Sequence, residues 1–393
     1  MKKKNEHVVI VGTGFSGLGM AIRMKQEGIH DFTILEAAEN VGGTWRDNTY
    51  PGAACDIESN LYSFSFEPNP EWSRTYAEQG EILRYLEHCA EKYGLLPHIR
   101  FKTGVARARF DERAGVWNVE TTRGDTIRAR VVVSGCGGLT HPVLPDIPGL
   151  DDFRGAKFHS ARWDHHTPLD GKRVAVIGTG ASAIQIVPEV AKKAAHLRVF
   201  QRTAPWVLPK NDPPYTDADR ARFRRRPITQ RLSRAGMWLR HELTVIPFVA
   251  LPGVMKLVEK LALKEFAKAV PDPVLRAKVT PRFRMGCKRV LLSNDYYPAL
   301  ARANVEVVTD PIDRVVADGI VTKDGKKHEI DALVLATGFE AAEQLAPFEI
   351  RGRGGRDLNE AWAEGAEAYL GSTVAGFPNW FIVFGPNTAL GHS

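Results

Sequence analysis

Three glycines at a fixed spacing, with an acid further along, are the first residues of this chain equipped for chemistry. Gly12, Gly14 and Gly17 follow the apolar run Val8, Val9, Ile10, Val11 as GxGxxG, and Glu36 stands 19 residues past Gly17. Glycines here let a strand turn sharply, let backbone approach a pyrophosphate, and let the next helix pack closely. The unsatisfied N–H groups of that helix then face the phosphates. Glu36 is placed to accept the ribose hydroxyls of an adenine dinucleotide. The arrangement recurs at Gly178, Gly180 and Ser182, after a second apolar run at 173–177. Where the first unit has its acid, the second carries Gln201, Arg202 and Thr203. A cation in place of the acid suits a ribose bearing a 2′-phosphate, hence NADP rather than NAD. Read alone, Arg202 is also an ordinary solvated charge at a strand end. Two fingerprints in one chain argue for two different nucleotides.

The elements that must position these residues are those of an α/β fold. The apolar runs predict strands over 8–11, 32–35, 100–102, 116–121, 127–134, 173–177, 197–200, 305–308 and 333–337. Helical spacing predicts helices over 18–26 and 184–193. Two strand-to-glycine turns, at 134–137 and 336–339, read as crossings between two nucleotide domains. From 213 to 281 the chain turns charged, amphipathic and helical. Its basic run, Arg220, Arg222, Arg224, Arg225 and Arg226, reads first as a solvated helix face; a membrane-surface or phosphate role is the lesser reading.

Composition narrows the class. At ~150 residues per domain, 393 residues make two or three domains. With 44% hydrophobic and 25% charged residues, a mainly disordered or fibrous chain is ruled out. The net charge of +7 is too mild for a nucleic-acid footprint. Cys55, Cys89, Cys136 and Cys287 are scattered, and they read as reduced thiols of a cytoplasmic protein. Neither they nor the histidines have metal spacing, so no metal is expected. The basic start leads straight into a strand, with no secretion signal. The most apolar stretch, 243–255, contains Pro247, Pro252 and Gly253 and falls short of the ~20 residues a membrane span needs.

Two longer patterns carry a resemblance. Phe153, Gly155, His159, Trp163 and Asp164 fit FxGxxxHxxxW(P/D), and Gly43, Trp45, Tyr50, Pro51, Gly52 and Asp56 fit GxWxxxx(Y/F)P(G/M)xxxD. Both resemble signatures of the type I Baeyer–Villiger monooxygenases, within the flavin-containing monooxygenase superfamily. The resemblance covers nearly the whole chain and is weakest over 213–281. It implies FAD on the first unit, with Thr44 and Trp45 beside the flavin, and NADPH on the second. It also implies a reaction in which O2 on the reduced flavin gives a C4a-peroxyflavin that inserts oxygen next to a ketone, forming an ester or lactone. Gly286, Lys288 and Arg289 resemble the family's G-x-K-R segment. Arg289 is then the active-site cation, Lys288 lies near the NADP ribose phosphate, and Asp56 positions the arginine. Read alone, Arg289 is a surface arginine, Asp56 a turn or cap residue, and Trp45 a core tryptophan. His159 and Trp163 are assigned to coupling of the two domains rather than to proton transfer.

The expected architecture is two Rossmann-like dinucleotide-binding domains, the second inserted in the first. The FAD domain takes 1–146 and 340–393, the NADP domain 147–212 and 282–339, and a helical insertion 213–281. Family members normally continue beyond a segment like 385–393, so the resemblance implies a C-terminally short chain. Pro205, Trp206 and Leu208 hint at a bulky organic ketone. Two alternatives stay open: a flavin monooxygenase acting on sulfur or nitrogen, and a non-oxygenating flavoprotein redox module. The second would want a redox CxxC or CxxxxC pair, and the sequence has none. The Arg202 assignment predicts that Arg202→Ala weakens NADPH binding by roughly 1.5–3 kcal/mol. The measurement is the NADPH/NADH ratio of kcat/KM, which should fall toward one; an unchanged ratio removes Arg202 from the 2′-phosphate.

Overall fold

The Val8–Val11 strand, buried along its length, is central in a five-stranded parallel sheet. Phe32–Leu35 and then Ile99–Arg100 lie on one side of it, Val131–Ser134 and then Trp380–Ile382 on the other. Arg173–Ile177 holds the same central place in a second five-stranded parallel sheet. There His196–Phe200 and Val305–Val308 lie to one side, Ala332–Leu335 and Ala156–His159 to the other. Both are α/β dinucleotide-binding sheets, as the repeated fingerprint required. The computed structural model describes residues 7–139, 141–249, 252–339 and 348–388. The segment from Ala389 onward, at the end of the 385–393 stretch, lies outside the described residues.

Parallel strands covered on both faces should be continuously apolar, and the central runs Val8–Val11 and Val174–Ile177 are. Val174, Ala175 and Val176 are inaccessible, as are Val9, Ile10 and Ile34. Each central strand feeds a helix, Phe15–Gln26 in the first unit and Ala181–Ala191 in the second. Between 213 and 281 the chain forms the helices Asp217–Arg225, Pro227–Val249, Pro252–Ala269 and Pro273–Val279. In the first of these, Arg220 pairs with Asp217, Arg222 with Asp219, and Arg224 with Glu71, as a solvated face does.

The structure corrects several element boundaries. The apolar stretch 127–134 is two strands. Thr126–Ala129 runs antiparallel to Val116–Thr121 in a mixed four-stranded sheet, whereas Val131–Ser134 turns parallel onto Val8–Val11. The break falls at Arg130, an exposed residue whose N–H donates to the His7 carbonyl at 2.9 Å. The strand expected over 100–102 ends at Arg100, because Lys102 adopts a left-handed conformation, φ 52°. Sequence periodicity also passed over Val105–Asp111, whose exposed arginines break the apolar pattern.

Glu306, on an outer strand of the second sheet, ties that sheet together by charge. It accepts from Arg198 at 3.1 Å and Lys326 at 3.0 Å, with His196 at 3.5 Å. Burial works to raise its carboxyl pKa, but the charge of Lys326 and the bonds from Lys326, His196 and Arg198 outweigh burial and hold it down to about 2, from an ordinary 4.5. A carboxylate with a depressed pKa adds stability that is present above its unfolded value and lost as pH falls toward its folded one. Glu306→Gln should therefore cost on the order of 1 kcal/mol at neutral pH, the scale of a solvent-screened network. In urea titrations the gap from the parent should shrink steadily as the pH drops below about 4.5 toward about 2. A gap independent of pH would mean that the charge contributes nothing.

Candidate active site

The two glycine turns are built by close backbone approach. A Cβ on Gly17 would lie 1.9 Å from the Gly12 carbonyl oxygen, and one on Gly178 would lie 2.2 Å from that of Ala336. Gly12 and Gly178 also need positive φ, 94° and 119°. The remaining glycine of each turn answers to something else. A Cβ at Gly14 would meet only the Gly43 Cα at 3.9 Å, and one at Gly180 would meet nothing within 4 Å. Packing leaves these positions free, so their glycines keep a cradle open in front of the helix. Gly14 and Gly180 are the N-caps of the two helices, neither has a side-chain cap, and neither helix has an acid in its first turn. Both turns thus present bare N–H donors to an anion, and the residues present fit dinucleotide phosphates.

Glu36 is buried at the end of Phe32–Leu35 and already well bonded. It accepts from the Thr13 N–H at 3.0 Å, the Thr13 hydroxyl at 2.5 Å and the Ala38 N–H at 2.8 Å, and it pairs with Arg46 at 3.1 Å. Any ribose hydroxyl must share it with these groups. Arg202, at the matching place in the second unit, is exposed and has no ion pair among the described residues. The neighbouring Thr203 carbonyl accepts from Thr179 at 2.9 Å, which folds this segment back over the second glycine turn. Lys288 lies with its ammonium 5.2 Å from the centre of the Phe283 ring.

The structure brings Asp56 and Arg289 together across 233 residues of chain. The arginine donates to one carboxylate oxygen through Nε at 2.9 Å and Nη2 at 2.6 Å. Arg289 is 62% exposed and Asp56 28%, so the guanidinium borders open space. The loop leading to Asp56 sits on the second domain. Gln185 donates to the Ala54 carbonyl at 2.9 Å and accepts from the Tyr50 hydroxyl at 3.0 Å. Burial raises the Tyr50 phenol pKa, opposed by a hydrogen bond with Ser182. Ser182 therefore bonds to the signature loop here. Gly52 is required in that loop, because a Cβ there would lie 2.7 Å from the Gln185 carbonyl oxygen. Next to Asp56, Cys55 is buried, and burial pushes its thiol pKa up to about 12.

Thr44 and Trp45 open the short helix Thr44–Asp47. The Trp45 indole donates to the Tyr62 hydroxyl at 3.1 Å, and its carbonyl accepts from Gln79. Burial also raises the Tyr62 pKa, opposed by the Trp45 bond and the nearby Arg289 charge. His159 ends the edge strand Ala156–His159, with its ring 5.9 Å from that of Phe339 beside the 336–339 crossing. Its Nδ1 accepts from the Ala161 N–H at 3.0 Å. Burial lowers its pKa from the ordinary value, which favours the neutral ring. Trp163 packs edge-on against Phe158 at 5.0 Å. Trp206, whose position near the second fingerprint hinted at a bulky ketone, is buried. It is 5% exposed, its indole donates to the Phe283 carbonyl at 2.8 Å, and its own carbonyl accepts from the Leu291 N–H. It anchors the segment that carries Arg289. Arg46, Gln185 and Thr13 escaped sequence reading, since only their spatial partners distinguish them.

The flavin-binding monooxygenase-like family matches residues 4–223. A Baeyer–Villiger monooxygenase from Pseudomonas aeruginosa is 52% identical over 386 residues, spanning 98% of this chain and 73% of that protein. The chain belongs to the Baeyer–Villiger flavin monooxygenases. Its fold follows that of an oxidised steroid monooxygenase bound to NADP, at a TM-score of 0.86 and 38% identity over 97% of this chain and 80% of that one. A family structure titled as the OTEMO complex with FAD and NADP also superposes at 0.86, with 33% identity over the same shares. This Baeyer–Villiger enzyme uses FAD and NADPH, and it oxygenates a small molecule with O2. Among the described residues no helix is long and apolar enough to cross a membrane.

The contrast between the two kinds of glycine gives a test. Gly180→Ala should leave the melting temperature near the parent's and weaken NADPH binding by roughly 1–3 kcal/mol, the cost of filling a fitted space. Gly178→Ala should instead lower the melting temperature, because it forces backbone apart. Equal NADPH affinity in Gly180→Ala and the parent, by titration, would mean that no ligand enters that cradle.

Proposed function

We propose that Arg289, oriented by Asp56, is the cation that stabilises the negative charge developed when oxygen is inserted next to a ketone carbonyl. The supporting observation is the ion pair itself: Asp56 takes Nε and Nη2 on one oxygen, while Nη1 has no partner among the described residues. A guanidinium fixed on one side and open on the other is preorganised for an oxyanion, and such groups lower barriers more than any other single device. FAD, when bound, supplies the reduced ring that activates O2. The chain's own residues do the rest. Gly12, Gly14 and Gly17 with Glu36 hold its pyrophosphate and ribose, and Thr44 and Trp45 wall the ring. Gly178, Gly180, Ser182 and Thr203 cradle the second dinucleotide, and Arg202 and Lys288 read its 2′-phosphate. His159, beside the 336–339 crossing, and Trp163, packed on Phe158, couple the motions of the two domains. In this reading 1–146 with 340–393 form the FAD domain, 147–212 with 282–339 the NADP domain, and 213–281 an insertion in the latter.

Arg289→Ala separates these roles. The variant should still oxidise NADPH and release hydrogen peroxide, while ester formation falls by ~10²–10³, the usual effect of losing one oxyanion-stabilising donor. Lysine at 289 keeps the charge without the planar fork and should restore only part of the activity. Product analysis with a panel of ketones, alongside peroxide yield, is the measurement. Ester yield equal to the parent's would remove Arg289 from the site, whereas a parent that forms no ester but oxidises sulfides or amines would favour oxidation of sulfur or nitrogen.

A further inference from the structure

We infer that the helical hairpin Pro227–Val249 and Pro252–Ala269 docks the enzyme onto an anionic lipid surface. Of the 19 large apolar side chains that are exposed among the described residues, ten lie on these two helices. Scattered exposed leucines are ordinary, but a concentrated patch marks an interaction surface. On the longer helix, Ile228, Leu232, Leu239, Leu243 and Ile246 are 46–64% exposed. At about 100° per residue they fall in a single stripe some 60° wide.

The opposite face of the same helix is the one held by the protein. Gln230 donates to the Asn60 side chain at 2.8 Å, and Arg234 to the Asn60 carbonyl at 2.9 Å. Arg240 and His241 both bond the buried Glu58 carboxylate. These four residues centre roughly 160° from the apolar stripe. The stripe therefore points away from the body of the enzyme by construction. Val254, Leu257 and Leu261 form an exposed apolar line of their own on the second helix.

Charge selects the occupant. Residues 213–281 carry a net charge of +8, so the rest of the chain nets −1. Arg231, Lys256, Lys260 and Lys264 are exposed and have no ion pair among the described residues. Lys260 and Lys264 lie within about a quarter turn of the Leu257 and Leu261 line. An apolar stripe bordered by unpaired cations is the pattern of a helix lying in a lipid interface. A protein partner's apolar surface would answer the leucines alone. A bilayer of anionic lipid answers leucines and cations together, and this reading is independent of the roles assigned to Arg289 and Asp56.

The test is flotation of the FAD-loaded enzyme with vesicles. Phosphatidylcholine–phosphatidylglycerol vesicles should carry it, phosphatidylcholine alone should carry far less, and salt should release it. Leu232→Glu with Leu239→Glu should abolish flotation. Lys256→Gln with Lys260→Gln and Lys264→Gln should weaken it by on the order of a hundredfold, at about fivefold per cation near an anionic surface. Both variants should keep the flavin spectrum and vesicle-free NADPH oxidation of the parent, which shows that they are folded. The inference is overturned if anionic vesicles do not bind the enzyme, or if the leucine variant binds them as well as the parent. It is equally overturned if sedimentation finds a dimer that the leucine variant makes monomeric, since a second copy then covers the stripe.

Discussion

Asp56 and Arg289 meet only if the two nucleotide sheets are held at one separation, and much of the structure between them serves that distance. The pair itself adds little stability, because an ion pair with so exposed an arginine is largely solvated. Its position comes from elsewhere. Gln185 holds the backbone at Ala54, and Gly52 lets that loop lie against the Gln185 carbonyl. On the other side, Trp206 is bonded to both Phe283 and Leu291, which bracket Arg289 in sequence. The position of this charge is thus set by neutral hydrogen bonds and buried aromatic surface, which solvent does not screen.

What was legible in the sequence follows the same division. Backbone that approaches backbone within contact distance tolerates only glycine, so Gly12, Gly17 and Gly178 leave a mark that can be read locally. The partnership of Glu36 with Arg46, or of Tyr50 with Gln185 and Ser182, depends on where loops meet in space. No local spacing encodes it. The Asp56–Arg289 pairing became visible only through the family's longer signatures, not from either residue alone. The apolar stretch from Ile127 to Ser134 shows a different limit. Periodicity reports that a strand is buried but not which neighbour it pairs with, and here the neighbour changes at Arg130. Trp206 marks a related limit: an aromatic near a cofactor motif and one buried beneath it look alike in sequence.

The long insertion helix links these levels. Its polar side grips Glu58, Asn60 and the Ser63 carbonyl, immediately downstream of Asp56. Glu58 is 1% exposed, and a carboxylate buried that deeply is costly unless its charge is answered; Arg240 answers the charge and His241 adds a hydrogen bond. The loop that presents Asp56 is therefore held from two directions, by the second nucleotide domain at Ala54 and by the insertion at Glu58. Displacement of either support would be felt at the carboxylate between them.

Cys55, immediately before Asp56, has a consequence for the durability of such an enzyme. A flavin monooxygenase releases some hydrogen peroxide beside its own side chains, and peroxide attacks thiolates rather than thiols. Burial raises the pKa of Cys55 to about 12, and those of Cys89 and Cys136 to about 11. At neutral pH fewer than about one in a thousand of these groups is ionised at any moment. The same dry packing that fixes the signature loop therefore keeps the sulfur of Cys55 in its unreactive protonated form, and this stretch of scaffold outlasts the oxidant made beside it.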